Sequence, residues 1–344
     1  MTPTMEYVRL GNSGLKVSKV VLGCMTYGDP NWQPWVMPEE EALPIIKHAY
    51  DRGINTWDVA DTYSNGKSEE ILGKALKEYN IPRSRVVIMT KCFHHVDETR
   101  GPLNAVEMAS NAGERVNCVG LSRKHILDAV KKSVQRLGTY IDVLQIHRLD
   151  RETPMEEIMK ALNDVVESGK VRYIGASSMA AWEFQMLQNV AEKHGWHKFV
   201  SMQGFYNLLY REEEREMIPY CRATSVGLLP WSPLGAGVLT HPWADRTDKR
   251  EQSDVFLKAL FCGREDEVDK AIVQRVEEVA KKKGVAMAQV AMAWVLQKGG
   301  MAPICGLDST DRIDQAVEAT KWSLAEEEVK YLEEPYLPKQ VSGY

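Results

Sequence analysis

The sequence lacks the long apolar run that a membrane-spanning helix needs. No stretch approaches the roughly 18 consecutive apolar residues required to cross a bilayer. The first residues, MTPTMEYVRLG, carry neither the basic start nor the apolar centre of a secretory signal. We therefore expect a cytoplasmic protein without a membrane partner.

Paired cysteines and basic excess are also absent. The six cysteines form no CxxC pair and lie far apart, at Cys24, Cys92, Cys118, Cys221, Cys262 and Cys305. This spacing argues against a zinc site and predicts reduced thiols. Carboxylates and histidines are not clustered at ligand spacing, so we expect no metal. The net charge of −5 gives no basic balance for nucleic acid.

The chain does contain eight short apolar segments that alternate with segments of helical periodicity. They lie near Val20, Ile54, Val86, Ile141, Val171, Phe199, Val226 and Ala302. Apolar strands alternating with helices predict an α/β protein with a parallel sheet. Eight such units in 344 residues predict a (β/α)₈ TIM barrel, as one domain over residues 1–344. A doubly wound sheet is the alternative, although no G-x-G-x-x-G turn follows the first strand.

Three segments depart from this alternation. Residues 7–17 predict an N-terminal β-hairpin closed by a glycine-rich turn. The segments at about 92–121 and 232–265 are rich in glycine, proline and charge, and they predict long loops at the C-terminal face of the barrel. The charged run at 245–251 predicts that the second loop forms a flap.

Four polar side chains follow three successive strands. Asp58 and Tyr63 follow the strand near Ile54, Lys91 closes the next strand, and His147 closes the one after it. Each alone is compatible with a structural role, but the carboxyl ends of barrel strands share one face, so we expect the four to converge. A free tyrosine has a pKa of about 10, which a nearby ammonium would lower. The four predict a proton-transfer site.

The chain resembles the aldo-keto reductase superfamily over nearly its whole length. The resemblance is carried, in the family's order, by WDVADTYSNGKSEEILGKAL, MTKC, LQIHRLD, YIGASS, SMQ, LPWSPLGAGVL and PICGLDSTDRIDQA. The stretches around LQIHRLD and YIGASS are most similar to the fungal branch of versiconal hemiacetal acetate reductase-like enzymes. The resemblance implies NADPH-dependent reduction of an aldehyde or ketone to an alcohol. Tyr63 would be the general acid, Lys91 would lower its pKa, Asp58 would pair with Lys91, and His147 would orient the carbonyl.

The resemblance also implies a set of residues that hold the cofactor. Arg312 would bind the 2′-phosphate, for which its planar fork is suited, and Trp231 would stack on the nicotinamide. The other implied contacts are Asp58, Ser177, Ser178, Gln203, Ser232, Pro233, Leu234, Gly235, Gly237, Gly306 and Gln315. The sequence departs from the family at Asp308, where a serine or threonine is common, and an acid there would repel the phosphate. Ala316 and Gly204 each replace a frequent asparagine, and NADPH nevertheless remains the predicted cofactor.

The predicted substrate is a small carbonyl compound of apolar or aromatic character. Tyr63 and His147 would contact its carbonyl, and Met25, Tyr27 and Trp32 after the first barrel strand would contact its remainder. The alternative function is a nicotinamide-binding regulatory subunit of the same fold with little catalytic role. The sequence carries no signal for an oligomeric state.

Overall fold

The N-terminal hairpin forms where the sequence predicts it and covers one end of the barrel. In the computed structural model, which describes residues 5–97, 99–245, 253–254 and 267–344, β1 (Tyr7–Arg9) pairs antiparallel with β2 (Lys16–Ser18). Gly11 turns the chain at φ +57°, and a Cβ there would lie 2.5 Å from the amide nitrogen of Gly227. The hairpin therefore packs tightly against the amino-terminal end of the strands and leaves the carboxyl end open.

The barrel strands occupy the predicted segments. Within the described residues they are β3 (Val21–Gly23), β4 (Thr56–Asp58), β5 (Val87–Cys92), β6 (Ile141–Ile146), β7 (Val171–Ser177), β8 (Phe199–Gln203), β9 (Gly227–Leu228) and β10 (Ile304–Gly306). They form one parallel sheet in the order β10-β3-β4-β5-β6-β7-β8-β9. Backbone hydrogen bonds from Ala302 to Leu228 (3.0 Å) and from Ile304 to Pro230 (2.8 Å) join its two edges. The sheet is thus closed, which confirms the (β/α)₈ barrel and excludes the doubly wound alternative.

Helices connect the strands and cover the outside of the barrel. The described helices are α1 (Glu39–Asp51), α2 (Lys67–Glu78), α3 (Ala105–Ala109), α4 (Arg123–Leu137), α5 (Met155–Glu167), α6 (Ala181–His194), α7 (Met217–Ala223), α8 (Glu267–Lys283), α9 (Met287–Gln297), α10 (Thr310–Glu318) and α11 (Glu326–Glu333). Helix α4 illustrates the sequence signals, because the Ser122 hydroxyl accepts from the His125 amide at its start and Gly138 ends it at φ +67°. None of the described helices is both long and apolar enough to cross a membrane.

The predicted loops contain more regular structure than the sequence indicated. Residues 92–121 include α3, which Asn104 and Glu107 cap reciprocally, and a 3₁₀ turn over Gly113–Arg115. Of the second loop, residues 246–252 and 255–266 lie outside the described residues, and they include nearly all of the predicted flap's charged run.

Candidate active site

A cavity of about 1110 Å³ lies at the carboxyl ends of the barrel strands. It is lined by all four predicted catalytic residues and by most of the predicted contacts, namely Asp58, Tyr63, Lys91, His147, Met25, Trp32, Ser177, Gln203, Trp231, Ser232, Pro233, Leu234, Gly237, Gly306, Arg312 and Gln315. Three other predicted contacts, Tyr27, Ser178 and Gly235, are not part of its lining. The cavity is thus continuous from the predicted proton-transfer site to the predicted phosphate site.

Lys91 joins the predicted catalytic residues through short contacts. Its Nζ donates to Asp58 Oδ2 at 2.6 Å, to the Val59 carbonyl at 2.9 Å and to the Tyr63 hydroxyl at 3.2 Å. His147 approaches Tyr63 edge-on, with ring centroids 6.0 Å apart. The structure therefore brings all four residues together at the ends of β4, β5 and β6, as the strand order predicts.

The turn after β4 places Tyr63 in this cluster. Residues Tyr63–Gly66 form a 3₁₀ turn in which Ser64, Asn65 and Gly66 have φ values of 49°, 55° and 93°. The left-handed conformation is strained for residues other than glycine, so Ser64 and Asn65 both carry backbone strain. Asn65 offsets part of that strain, because its side-chain amide is bonded to the backbone of Asp97. The turn returns the chain sharply into α2 and leaves the Tyr63 ring at the cavity.

Burial decides the direction of the pKa shift at Tyr63, whereas charged and polar neighbours decide it at Lys91. It raises the pKa of Tyr63, and the opposing charge of Lys91 only reduces that increase. This differs from the expectation that the ammonium would lower the tyrosine pKa, because desolvation of the phenolate is the larger effect. Burial alone would lower the pKa of Lys91, but Asp58 and Tyr63 raise it. Tyr63 thus holds its proton and Lys91 its charge near neutral pH.

His147 is neutral in this environment. Burial, followed by the charges of Arg148 and Lys91, lowers its pKa well below the usual range. Its buried Nδ1 has no hydrogen-bond partner among the described residues. A neutral imidazole with an unsatisfied ring nitrogen beside Tyr63 is suited to hydrogen-bond a ligand rather than to carry charge.

Two buried glutamines hold the other oxygen of Asp58. Gln145 Nε2 donates to Asp58 Oδ1 at 3.0 Å and Gln203 Nε2 at 2.6 Å, and Gln203 also donates to Gln145 Oε1 at 2.6 Å. The carboxylate is therefore satisfied on both sides, which lowers the cost of burying it. Gln145 was not predicted to belong to the site, although it lies two residues before His147 and alternate residues of an extended segment share one face.

Trp231 is fixed in position by a stacked aromatic ring and by a hydrogen bond. Its ring stacks on Phe205, with centroids 4.5 Å apart and planes at 19°, and Phe205 stacks in turn on Tyr210. Its Nε1 donates to Ser178 Oγ at 3.1 Å. Ser178 therefore supports the tryptophan from outside the cavity lining, and Trp231 presents a fixed aromatic surface to the cavity.

Arg312 is paired with Asp308 at the far end of the cavity. Its Nη1 donates to both carboxylate oxygens of Asp308 at 2.8 Å. Both lie near the start of α10, where the Ser309 hydroxyl accepts from the Arg312 amide. The acid that departs from the family pattern is thus bound directly to the predicted phosphate ligand.

Tyr27 lies elsewhere than predicted. It is fully buried, and its hydroxyl donates to the Leu307 carbonyl at 2.5 Å. It ties the segment after β3 to the segment after β10 and does not border the cavity. The cavity wall instead includes Trp35, His94, Met108 and Arg148, none of which was predicted as a site residue.

Comparisons with known proteins agree with this architecture. A family model described as the Aldo/keto reductase family matches residues 19–336. Versiconal hemiacetal acetate reductase of Aspergillus parasiticus is 64% identical over 338 residues, which cover 98% of each chain. A putative aryl-alcohol dehydrogenase of Saccharomyces cerevisiae is 54% identical over 342 residues, again 98% of each chain. These matches confirm the resemblance that the sequence motifs indicated, including its fungal branch. The chain therefore belongs to the aldo/keto reductase family.

Proposed function

We propose that the protein reduces an aldehyde or ketone to an alcohol with NADPH, and that Tyr63 is the proton donor. Family membership makes the chain an oxidoreductase. The role of Tyr63 as proton donor rests on one observation, the contact of Lys91 Nζ with both Asp58 and the Tyr63 hydroxyl in the cavity. This arrangement supports proton transfer to an oxygen that binds above Tyr63.

The residues around the cavity fit a nicotinamide dinucleotide. The space of about 1110 Å³ exceeds that of an ordinary small-ligand pocket and extends from Tyr63 to Arg312. Trp231 provides an aromatic surface in the lining. Ser232 to Gly237 form a turn with several left-handed residues, which allows close backbone approach to a phosphate. Arg312 would hold the 2′-phosphate in competition with Asp308. When bound, the cofactor would supply the hydride.

The protein's own part is to position the carbonyl and to deliver a proton. The raised pKa of Tyr63, caused by burial, keeps its hydroxyl protonated before reaction. The nearby Lys91 ammonium would stabilise the phenolate that remains after the proton leaves, because it already contacts the tyrosine oxygen. The neutral His147 would hydrogen-bond the carbonyl oxygen and direct it toward Tyr63.

A carbonyl screen tests this proposal. The wild-type protein should oxidise NADPH, followed by its absorbance, with at least some aromatic or aliphatic aldehydes. Tyr63→Phe removes only the hydroxyl and should lower turnover by about 10²-fold or more, while NADPH binding followed by tryptophan fluorescence should change little. Near-normal turnover in Tyr63→Phe would exclude the tyrosine as proton donor. Absence of turnover with every carbonyl would contradict the reaction itself.

A further inference from the structure

The cations that line the cavity differ in how their charge is balanced. Within the part of the chain that the structure describes, the lysine and arginine side chains in the lining are Lys91, Arg148 and Arg312. Lys91 is paired with Asp58, and Arg312 is paired with Asp308. Arg148 has no carboxylate within ion-pair distance among the described residues. Its one hydrogen bond there is from Nη1 to the neighbouring His147 carbonyl, at 2.6 Å.

The Arg148 guanidinium can therefore donate further hydrogen bonds to a ligand. The guanidinium keeps its charge at any working pH and offers five N–H donors in a planar fork. While the cavity holds water, water can solvate the half-buried side chain. When a ligand displaces that water, the charge becomes costly unless the ligand supplies acceptors or an opposite charge.

Arg148 lies on the side of the cavity that the cofactor's phosphates would not occupy. It follows β6, whereas the proposed phosphate contacts follow β9 and β10, several strands away around the barrel. Its charge helps to lower the pKa values of both His147 and His94, so the guanidinium is close to the predicted carbonyl site. The anion that Arg148 would bind therefore belongs to the substrate.

His94 adds a second unsatisfied polar group beside Arg148. It packs edge-on against His147 with ring centroids 5.3 Å apart, and its buried Nδ1 has no hydrogen-bond partner among the described residues. Burial, with the charge of Arg148, lowers its pKa to about 4, so it is neutral at working pH. A neutral imidazole can hydrogen-bond an anionic oxygen without competing for the charge of the guanidinium.

We propose that Arg148 is a substrate-specificity residue and that the preferred substrates are aldehydes or ketones that carry a carboxylate. The proposal rests on the proposed function above. The carboxylate binds the Arg148 fork, the carbonyl oxygen lies at Tyr63 and His147, and the body of the substrate contacts apolar lining residues such as Trp32 and Met108. Carboxylate and guanidinium match in shape, so the pair can form two parallel hydrogen bonds.

Binding of simple ligands tests the anion site without turnover. Benzoate and the neutral benzamide are titrated calorimetrically into wild type, Arg148→Gln and Arg148→Lys, with and without NADP⁺. Wild type should bind benzoate at least about 10-fold more tightly than benzamide in one of the two conditions, the scale of a charged hydrogen bond. Arg148→Gln should lose this preference, and Arg148→Lys should keep part of it. Equal binding of benzoate and benzamide by wild type in both conditions overturns the proposal.

Turnover provides the second measurement. The three carboxybenzaldehyde isomers are compared with their methyl esters, which differ in charge at the same ring position. At least one isomer should have a kcat/KM about 10-fold or more above that of its ester, and Arg148→Gln should reduce this ratio mainly through KM. If every ester is reduced as well as its acid, or if Arg148→Gln leaves the ratio unchanged, the anion site is refuted although carbonyl reduction stands. If no carbonyl is reduced, the proposed reaction fails, and the calorimetric comparison still decides whether Arg148 binds an anion.

Discussion

Replacing Asp308 with asparagine should change the choice between NADPH and NADH. In the structure, the Arg312 guanidinium is hydrogen-bonded to Asp308, although the 2′-phosphate of NADPH would need the same guanidinium. Asparagine keeps the size of the side chain and removes its charge. We therefore expect Asp308→Asn to bind NADPH more tightly than wild type, with NADH binding almost unchanged.

The size of the effect follows from exposure and distance. The side chains of Arg312 and Asp308 are 53% and 39% exposed, so their pairing contributes less than about 1 kcal/mol and is readily exchanged. The larger effect is repulsion between Asp308 and the phosphate. At a separation of roughly 6 Å and an effective dielectric constant of roughly 40, each pair of unit charges costs about 1.4 kcal/mol. After salt screening we expect roughly 1–2 kcal/mol, which is about 5- to 30-fold in Kd.

The assay measures Kd for both cofactors by quenching of tryptophan fluorescence. Asp311→Asn is the matched control, because it removes the same charge from an exposed acid in the first turn of α10. Arg312→Ala should weaken NADPH binding by roughly 1–3 kcal/mol and leave NADH nearly unaffected. In the Asp308→Asn, Arg312→Ala double variant, the gain from asparagine should be smaller. If Asp308→Asn weakens NADH and leaves NADPH unchanged, the acid binds the ribose hydroxyls and the NADPH assignment is refuted.

Two further predictions concern stability. Burial, with the charge of Glu212, raises the pKa of Glu213 from 4.5 to about 7. Because the folded state holds this proton more tightly than the unfolded chain does, folding stability is lost as the pH rises from about 4.5 through 7. Glu213→Gln should therefore be more stable than wild type by roughly 2–3 kcal/mol at about pH 8, and by less at about pH 5.5. Equal gains in urea melts at both pH values would contradict this. A Cβ at Gly73 in α2 would lie 2.7 Å from the Leu137 carbonyl oxygen. Gly73→Ala should therefore lose roughly 1–2 kcal/mol of folding stability despite alanine's better helix propensity. The control Gly101→Ala, with open space around it, should change thermal stability little. Equal melting temperatures for the two variants would refute the packing argument.

Most of the barrel could be predicted from the sequence because its signals are local. Each buried strand is a short apolar run, and some helices have clear end signals, as α4 begins after Ser122 and ends at Gly138. The sequence predicted neither the short helix α3 nor the separate 3₁₀ turn over Glu212–Glu214 that precedes α7. Their boundaries depend on tertiary packing and on side-chain caps within long polar segments, where hydrophobic periodicity is weak.

The convergence of Asp58, Tyr63, Lys91 and His147 was also predictable, because parallel strands bring their carboxyl ends to one face. Their protonation was not, since it depends on how much water the fold removes. The sequence indicated that Lys91 would lower the pKa of Tyr63, and the structure reverses the net direction because burial of the phenol outweighs the ammonium. For a general acid this reversal is useful, because the proton must be present before the reaction begins.

The substrate side of the cavity was the least predictable part, and the end of β6 shows why. Strand alternation directs every second residue to one face, so it predicts that Gln145 and His147 point inward and that Arg148 points away. The strand ends at Ile146, however, and beyond it His147 and Arg148 both line the cavity. Alternation fails where the strand ends, which in a barrel is where ligands bind. The charge of Arg148, and with it the proposed preference for carboxylate-bearing carbonyls, could therefore be assigned to the cavity only from the three-dimensional structure.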